Sequence, residues 1–168
     1  MQKLVLFVSC LCVSFSANAV VFMDATWAQK ACNTWNSTGK LTSGLGDKWI
    51  KNDGGRGYKL IQIYRDKCSS ANKIQLTIQE QNGKAACVYG GKPDGKKMNY
   101  SHDYIMHATD KDWTCMGKGT FGCGPMGAMA SGKLKFKGPK LEAMGVMGPF
   151  KSFLKLTGKV GGDKGTCN

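Results

Sequence analysis

Residues able to do chemistry are few in this chain and stand apart from one another. The string Gly90-Gly91-Lys92-Pro93-Asp94-Gly95-Lys96 matches G-x-x-x-x-G-K, in which backbone N–H groups cradle phosphates and a following Ser or Thr holds magnesium. Lys97 stands in that following place, and a strand rather than a helix is expected next, so the string reads as a turn-rich hairpin connection. His102 and His107 are the only histidines, and neither has a nearby serine–acid pattern or nucleophile elbow. Ser101, His102 and Asp103 are neighbours in sequence, but successive strand residues point to opposite faces, so they form no triad among themselves. Cys115 beside a histidine would make a nucleophilic pair, and a disulfide is the competing use of that thiol. Metal binding by thiols needs C-x₂-C clustering, which does not occur. The 11 carboxylates are scattered. No enzyme, metal or cofactor is expected from these residues.

The N-terminus changes how the cysteines are read. Met1-Gln2-Lys3 is followed by an apolar run over 4–15 and then Ser16-Ala17-Asn18-Ala19. A positive start, a stretch too short to span a bilayer and an A-x-A arrangement mark a cleavable export signal over 1–19, with the mature chain starting at Val20. Lipid attachment at Cys10 is disfavoured by Phe7, where an aliphatic is preferred, and by the short preceding run. The expected place is secreted, or periplasmic if the source is bacterial. Of the 8 cysteines, Cys10 and Cys12 leave with the signal, while Cys32, Cys68, Cys87, Cys115, Cys123 and Cys167 remain. An even set in an oxidising compartment favours disulfides. Cys115 and Cys123 are close enough to pair locally; the other pairings stay open.

The net charge of +13 is almost wholly lysine, since Arg56 and Arg65 are the only arginines. Lysine is a hydrated point charge without the planar fork that reads bases and phosphates, so no nucleic-acid partner is expected. The scattered lysines, with a regular set at Lys133, Lys135 and Lys137, give a solvated face that also suits transient contact with anionic membranes. Asn36-Ser37-Thr38 and Asn99-Tyr100-Ser101 are glycosylation sequons. A monomer is expected.

These residues must be positioned by a mixture of helices and strands. Asp24 is placed to cap a helix over 24–35, in which Trp27, Ala31 and Trp35 recur on one face. A Gly, Ser and Thr-rich passage over 37–57 reads as loop, interrupted at Trp49-Ile50. Residues 58–65 read as a strand. Ile74, Leu76 and Ile78 alternate with Lys73, Gln75, Thr77 and Gln79, the period of a sheet wet on one face. Asn82-Gly83 signals a two-residue hairpin, and pairing outward from it sets Cys87 opposite Ile78 on the core side. Tyr104, Met106 and Ala108 alternate with Ile105 and His107 as a further strand. Thr109 and Asp112 form a capping-box pattern before Trp113 and Met116. Pro125 opens a helix over 126–131, and 133–137 alternates with Leu134 and Phe136 inward. Pro139 opens a last helix carrying Leu141, Met144, Met147, Phe150, Phe153 and Leu154, kinked or ended by Pro149 near Gly148. Residues 157–168 read as a flexible tail unless Cys167 is tied down.

Residues 121–156 are dense in Met, Gly and Phe. Methionine adapts to irregular apolar shapes, so such a lining suits a variable apolar guest as well as a plain core. Residues 57–150 resemble a sterol carrier protein 2 domain. The string Ala130-Ser131-Gly132-Lys133-Leu134-Lys135-Phe136-Lys137-Gly138, followed by Leu141-Glu142-Ala143-Met144, looks like the family's strand leading into the helix beside its lipid tunnel. Upstream, Tyr104 to Gly117 resembles the family's strand–helix unit, and the hairpin and later loop fall in matching order. The resemblance implies an α+β fold, with a mixed sheet of roughly five strands and helices on one face around an apolar tunnel. It divides the chain into a signal (1–19), an N-terminal helix and loop (20–56), a lipid-binding domain (57–156) and a tail (157–168). It implies non-catalytic binding and transfer of a sterol, fatty acyl chain or phospholipid. By position the tunnel candidates are Trp113, Met116, Met126, Met129, Leu141, Met144 and Met147. The cysteine set and Pro149 depart from the family's usual pattern. The competing reading is a cationic secreted protein that binds acidic polymers or membrane surfaces.

Overall fold

The computed structural model describes residues 20–167; the signal segment, with Ala17 and Ala19, lies outside the described residues. The register of the sheet starts at Asn82-Gly83, where both residues take left-handed φ values of 53° and 74°, as a tight hairpin turn requires. This turn joins β2 (Ile74–Gln81) to β3 (Lys84–Gly91), and Ile78 stands opposite Cys87, as pairing outward from the turn demands. β1 (Lys59–Arg65) pairs antiparallel with β2 and parallel with β4 (Tyr104–Ala108), and β5 (Lys135–Lys137) closes the far edge antiparallel to β4. The result is a five-stranded mixed sheet in the order β3-β2-β1-β4-β5. Because β4 runs parallel to β1, residues 92–103 are a crossover rather than the hairpin connection read from the sequence.

Helices gather on one face. The Asp24 carboxylate accepts from Trp27 N at 2.6 Å and starts α1 (Ala25–Asn36), which buries Trp27, Ala31 and Trp35. α1 lies so close to β3 that a methyl group at Gly90 would meet Ala28 O at 2.2 Å, so only glycine fits there. The passage expected to be loop contains two short helices, α2 (Gly39–Thr42) and α3 (Lys48–Lys51). Thr109 caps α4 (Asp110–Lys118), and Pro125 occupies the first turn of α5 (Pro125–Ala130). The last helix is really two, α6 (Lys140–Gly145) and α7 (Met147–Val160), broken at Val146 with φ −124° and ψ 40°. Pro149 therefore sits in the first turn of α7, where its missing N–H leaves no helical bond unmade. It opens a helix rather than kinking one.

Two further expectations change. The face of β2 read as wet is covered in part: Gln75 and Thr77 are buried, and Gln75 accepts from Gln62 at 3.0 Å while donating to Asp94 at 2.9 Å in the crossover. Burial of these groups is tolerated because they bond one another. The tail, expected to be flexible unless tied, is tied. Val21 bridges to Asp163, Trp27 Nε1 donates to Gly161 O at 2.6 Å, and Arg65 donates to Thr166 O at 2.6 Å. The N-terminal segment and the tail thus bond to each other, and the tail bonds to β1.

The cysteines pair as Cys32–Cys87, Cys68–Cys167 and Cys115–Cys123. The first staples α1 to β3, where Asn36 also donates to Cys87 O and accepts from Cys87 N, both at 2.8 Å. The second anchors residue 167, and the third is the expected local pair, from Cys115 within α4 to Cys123 ahead of α5. Non-reducing peptide maps should return these three pairs, with no more than one free thiol in the denatured, unreduced protein. Reduction should lower Tm markedly, since a native disulfide contributes about 2–5 kcal/mol. A count of four or more free thiols would refute the framework.

Candidate functional site

Six aromatic side chains close a ring between the sheet and the helices. Trp35 faces Trp49 at 6.4 Å between centroids, Trp49 stacks on Tyr104 at 5.9 Å, and Tyr104 meets Phe136 at 5.6 Å. Phe136 meets Phe150 at 5.9 Å, Phe150 meets Phe153 at 6.5 Å, and Phe153 returns to Trp35 edge-on at 6.2 Å. Such offset and edge-to-face pairs hold rings in defined orientations. Ile61 and Met106 add the sheet side, Leu45 another flank, and Ala143, Val146 and Pro149 the wall contributed by α6 and the start of α7. The indole N–H groups are satisfied, Trp35 Nε1 by Ala85 O at 2.8 Å and Trp49 Nε1 by the Tyr104 hydroxyl at 2.9 Å. The interior is therefore apolar, and its free volume is about 40 Å³. That holds a water or a methyl group; small-molecule sites measure on the order of 300–1,000 Å³. Where the resemblance leads one to expect an apolar tunnel, the structure has a small, half-open apolar pocket.

One polar cluster borders this pocket. Lys59 lies on the same face of β1 as Ile61, and its side chain has no exposure to solvent. Its amine donates to Glu142 Oε1 at 2.9 Å, Glu142 Oε2 at 2.8 Å, Asn52 O at 3.0 Å and Trp49 O at 3.2 Å. It also sits 4.6 Å from the Trp49 ring centre and 5.4 Å from that of Tyr104. Tyr104 donates its hydroxyl to Glu142 Oε2, and Asn52 Nδ2 donates to Glu142 Oε1 at 2.7 Å. Loss of solvent lowers the Lys59 pKa, although the Glu142 hydrogen bond and charge oppose the shift. Burial, reinforced by the bond to Glu142, raises the Tyr104 pKa, so the phenol stays protonated. Glu142 is the residue through which α6 is held onto the body of the protein.

The seven residues chosen by sequence position are not brought together here, and none of them lines the pocket. Trp113 and Met116 are buried beneath α4, where Trp113 Nε1 donates to Tyr64 O at 3.1 Å. Met129 and Met147 pack partly buried against the core. Met126, Leu141 and Met144 are exposed, at 55%, 85% and 45%. In α6 Ala143 faces inward, while Leu141 and Met144 face outward. At about 100° per residue Leu141 and Phe150 fall on opposite sides of any helix that carries both, so the apolar spacing over 141–150 does not make a single face. Trp35 was legible as core and Phe150 and Phe153 as part of an apolar helix, but their convergence with Trp49, from three segments in all, was not. His102 and His107 are also apart: His102 Nδ1 lies 3.1 Å from Asn52 O, and His107 Nδ1 lies 2.6 Å from Asp66 Oδ1. Among the described residues, no three His, Cys, Asp or Glu side chains converge as a metal site, and no helix is long and apolar enough to cross a membrane.

No family model matches the chain, and no curated protein matches it in sequence. Solved structures similar to it are sterol carrier protein 2 domains. One crystal structure of sterol carrier protein 2 is 17% identical, with a TM-score of 0.49 over 83% of this chain and 98% of that chain. The sterol carrier protein domain 2 of Helicoverpa armigera is 16% identical, with a TM-score of 0.41 over 75% and 89%. Sterol carrier protein 2 from Yarrowia lipolytica, in its apo form, is 12% identical, with a TM-score of 0.39 over 74% and 88%.

The Lys59–Glu142 pair generates a test of its own. Lys59→Met strands a carboxylate that is largely buried and should cost about 3–5 kcal/mol in urea unfolding. The double change Lys59→Met with Glu142→Leu should cost clearly less than the single one, because no charge is then left alone. Purely additive losses would show that the two side chains do not act as a pair.

Proposed function

We propose that this chain binds a single apolar lipid chain inside the aromatic ring and carries it, without chemistry, outside the cytosol. The observation that carries the reading is the ring itself: six aromatic side chains surround an apolar space that one short helix helps to close. An ordinary core has no reason to place a six-residue helix, tied through a single carboxylate, across an apolar gap. A guest gains roughly 0.8 kcal/mol for each methylene it buries, which is enough to drive α6 and the neighbouring Phe150 side chain apart and enlarge the space. The three disulfide pairs suit an oxidising compartment, which agrees with export.

A second reading is favoured by one feature on the opposite face of the sheet. Tyr64 stacks on His107 at 4.5 Å, and Lys137 lies over Tyr100 at 3.7 Å, beside a shallow groove of about 300 Å³ that Lys135 also borders. Asp66 is held below the usual carboxylate range there, burial opposing and the bonds from His107 and Lys135 prevailing. Aromatic plates flanked by lysines suit an acidic polysaccharide. Heparin binding that weakens steeply with salt, and is lost in Lys135→Glu with Lys137→Glu, would support that use.

The carrier reading predicts that organic extraction of the purified protein, followed by mass spectrometry, returns lipid. The delipidated protein should then bind a fluorescent fatty acid. Ala143→Val narrows the pocket from α6 and should weaken that binding about fivefold or more while leaving the circular dichroism spectrum unchanged. No lipid in the extract and no binding by the delipidated parent would sink the reading.

A further inference from the structure

We infer that α6 is the face by which this protein meets an anionic lipid bilayer, and that contact there widens the small pocket; the inference rests on the carrier reading. α6 presents two opposite sides. Ala143, 3% exposed, turns to the pocket, whereas Leu141 and Met144, three residues apart and on one side, stand 85% and 45% exposed. An outward Leu–Met pair on a six-residue helix gives the body of the protein nothing to bury. Lys140 stands exposed at the first position of α6, and Lys151 is exposed on α7. Exposed apolar side chains beside lysine match the boundary between headgroups and acyl chains, and the net charge of +13 selects an anionic surface.

The same helix is built to let go. Its last residue is Gly145, the chain leaves helical geometry at Val146, and Gly148 follows. Its polar ties to the body run through Glu142, to Lys59, Tyr104 and Asn52. When Glu142 leaves, Lys59 keeps the carbonyls of Trp49 and Asn52 and the two rings beside it, so the amine is not stranded. Insertion of Leu141 and Met144 into the bilayer compensates for the lost ion pair. The opened wall then faces the lipid, and the guest passes across without entering water.

The test uses vesicles of phosphatidylcholine alone and with added phosphatidylglycerol, and a pyrene-labelled fatty acid as guest. The parent should pellet with the anionic vesicles, less so at high salt, and should deliver the guest to them faster than to neutral ones. Leu141→Ser with Met144→Ser should weaken vesicle binding and slow transfer about tenfold or more. That variant should still bind the guest in solution within about twofold of the parent. Glu142→Gln should speed transfer to anionic vesicles. Val88→Ser, an exposed apolar residue on the opposite edge strand, should change neither. The inference is overturned if the double serine variant binds and transfers as the parent does, or if the parent ignores phosphatidylglycerol. A parent that binds no guest in solution overturns the carrier reading and the opening with it. Vesicle pelleting then still reports separately on the α6 surface.

Discussion

A lysine amine sealed from water must find acceptors on every side or lose its charge, and the site is arranged around satisfying Lys59. Two carbonyls at the end of α3 and two carboxylate oxygens from α6 do so, with the Trp49 and Tyr104 rings lying alongside. Tyr104 and Asn52 then bond the same carboxylate. This constraint fixes where α3 ends and which residue of α6 faces inward. It also fixes the orientation of two of the six rings around the pocket. The stacked Trp49–Tyr104 pair follows from it, because both rings flank one cation.

The other end of the same strand repeats the device. Lys59, Ile61, Ile63 and Arg65 alternate on the inward face of β1, so that face has a cation at each end and aliphatic carbons between. Arg65 makes a bidentate pair with Asp110 at 2.6 and 2.8 Å, and its remaining N–H groups reach the carbonyls of Lys164 and Thr166 in the tail. Asp110 is held below the usual carboxylate range, first by the Arg65 hydrogen bonds. Arg56 makes the equivalent bidentate pair with the buried Asp103 at 2.8 Å. Both arginines of the chain are therefore spent on planar, two-pronged internal bonds, and the surface is left to lysine. The division explains the composition: forks where geometry must be exact, and hydrated point charges where only a field is wanted.

Local rules were readable in the sequence because they act locally. Asp24 and Thr109 cap the helices they precede, and Asn82-Gly83 sets a register that carries Cys87 to Ile78. The five-stranded mixed sheet with helices on one face was also anticipated. What escaped was decided by segments far apart in the chain. Periodicity marked Gln75 and Thr77 as a wet face, yet Asp94 in the crossover covers Gln75. Leu141 and Met144 lay on one apolar stripe, but a stripe says only that one side is apolar, not that it faces in. The opposite side carries Ala143 and Phe150, and those are the residues that face in. Lys59 offered one signal that went unread, a charge on the same strand face as Ile61 and Ile63.

A buried ion pair is a poor means of making a protein more stable. Desolvating both charges costs several kcal/mol, and well-packed apolar residues of similar size often do as well or better. Its better use is to define one arrangement among several while leaving another within reach. At the rim of the pocket, an aliphatic pair in place of Lys59 and Glu142 would weld α6 to the sheet by contacts that weaken only as they separate completely. The ion pair instead holds α6 in a single register. It can also be exchanged for solvent or headgroup contacts once the site is exposed. Placing that exchangeable bond beside a ring of aromatics, on the helix whose other side shows Leu141 and Met144 to water, defines the narrow arrangement of the pocket and keeps it from being permanent.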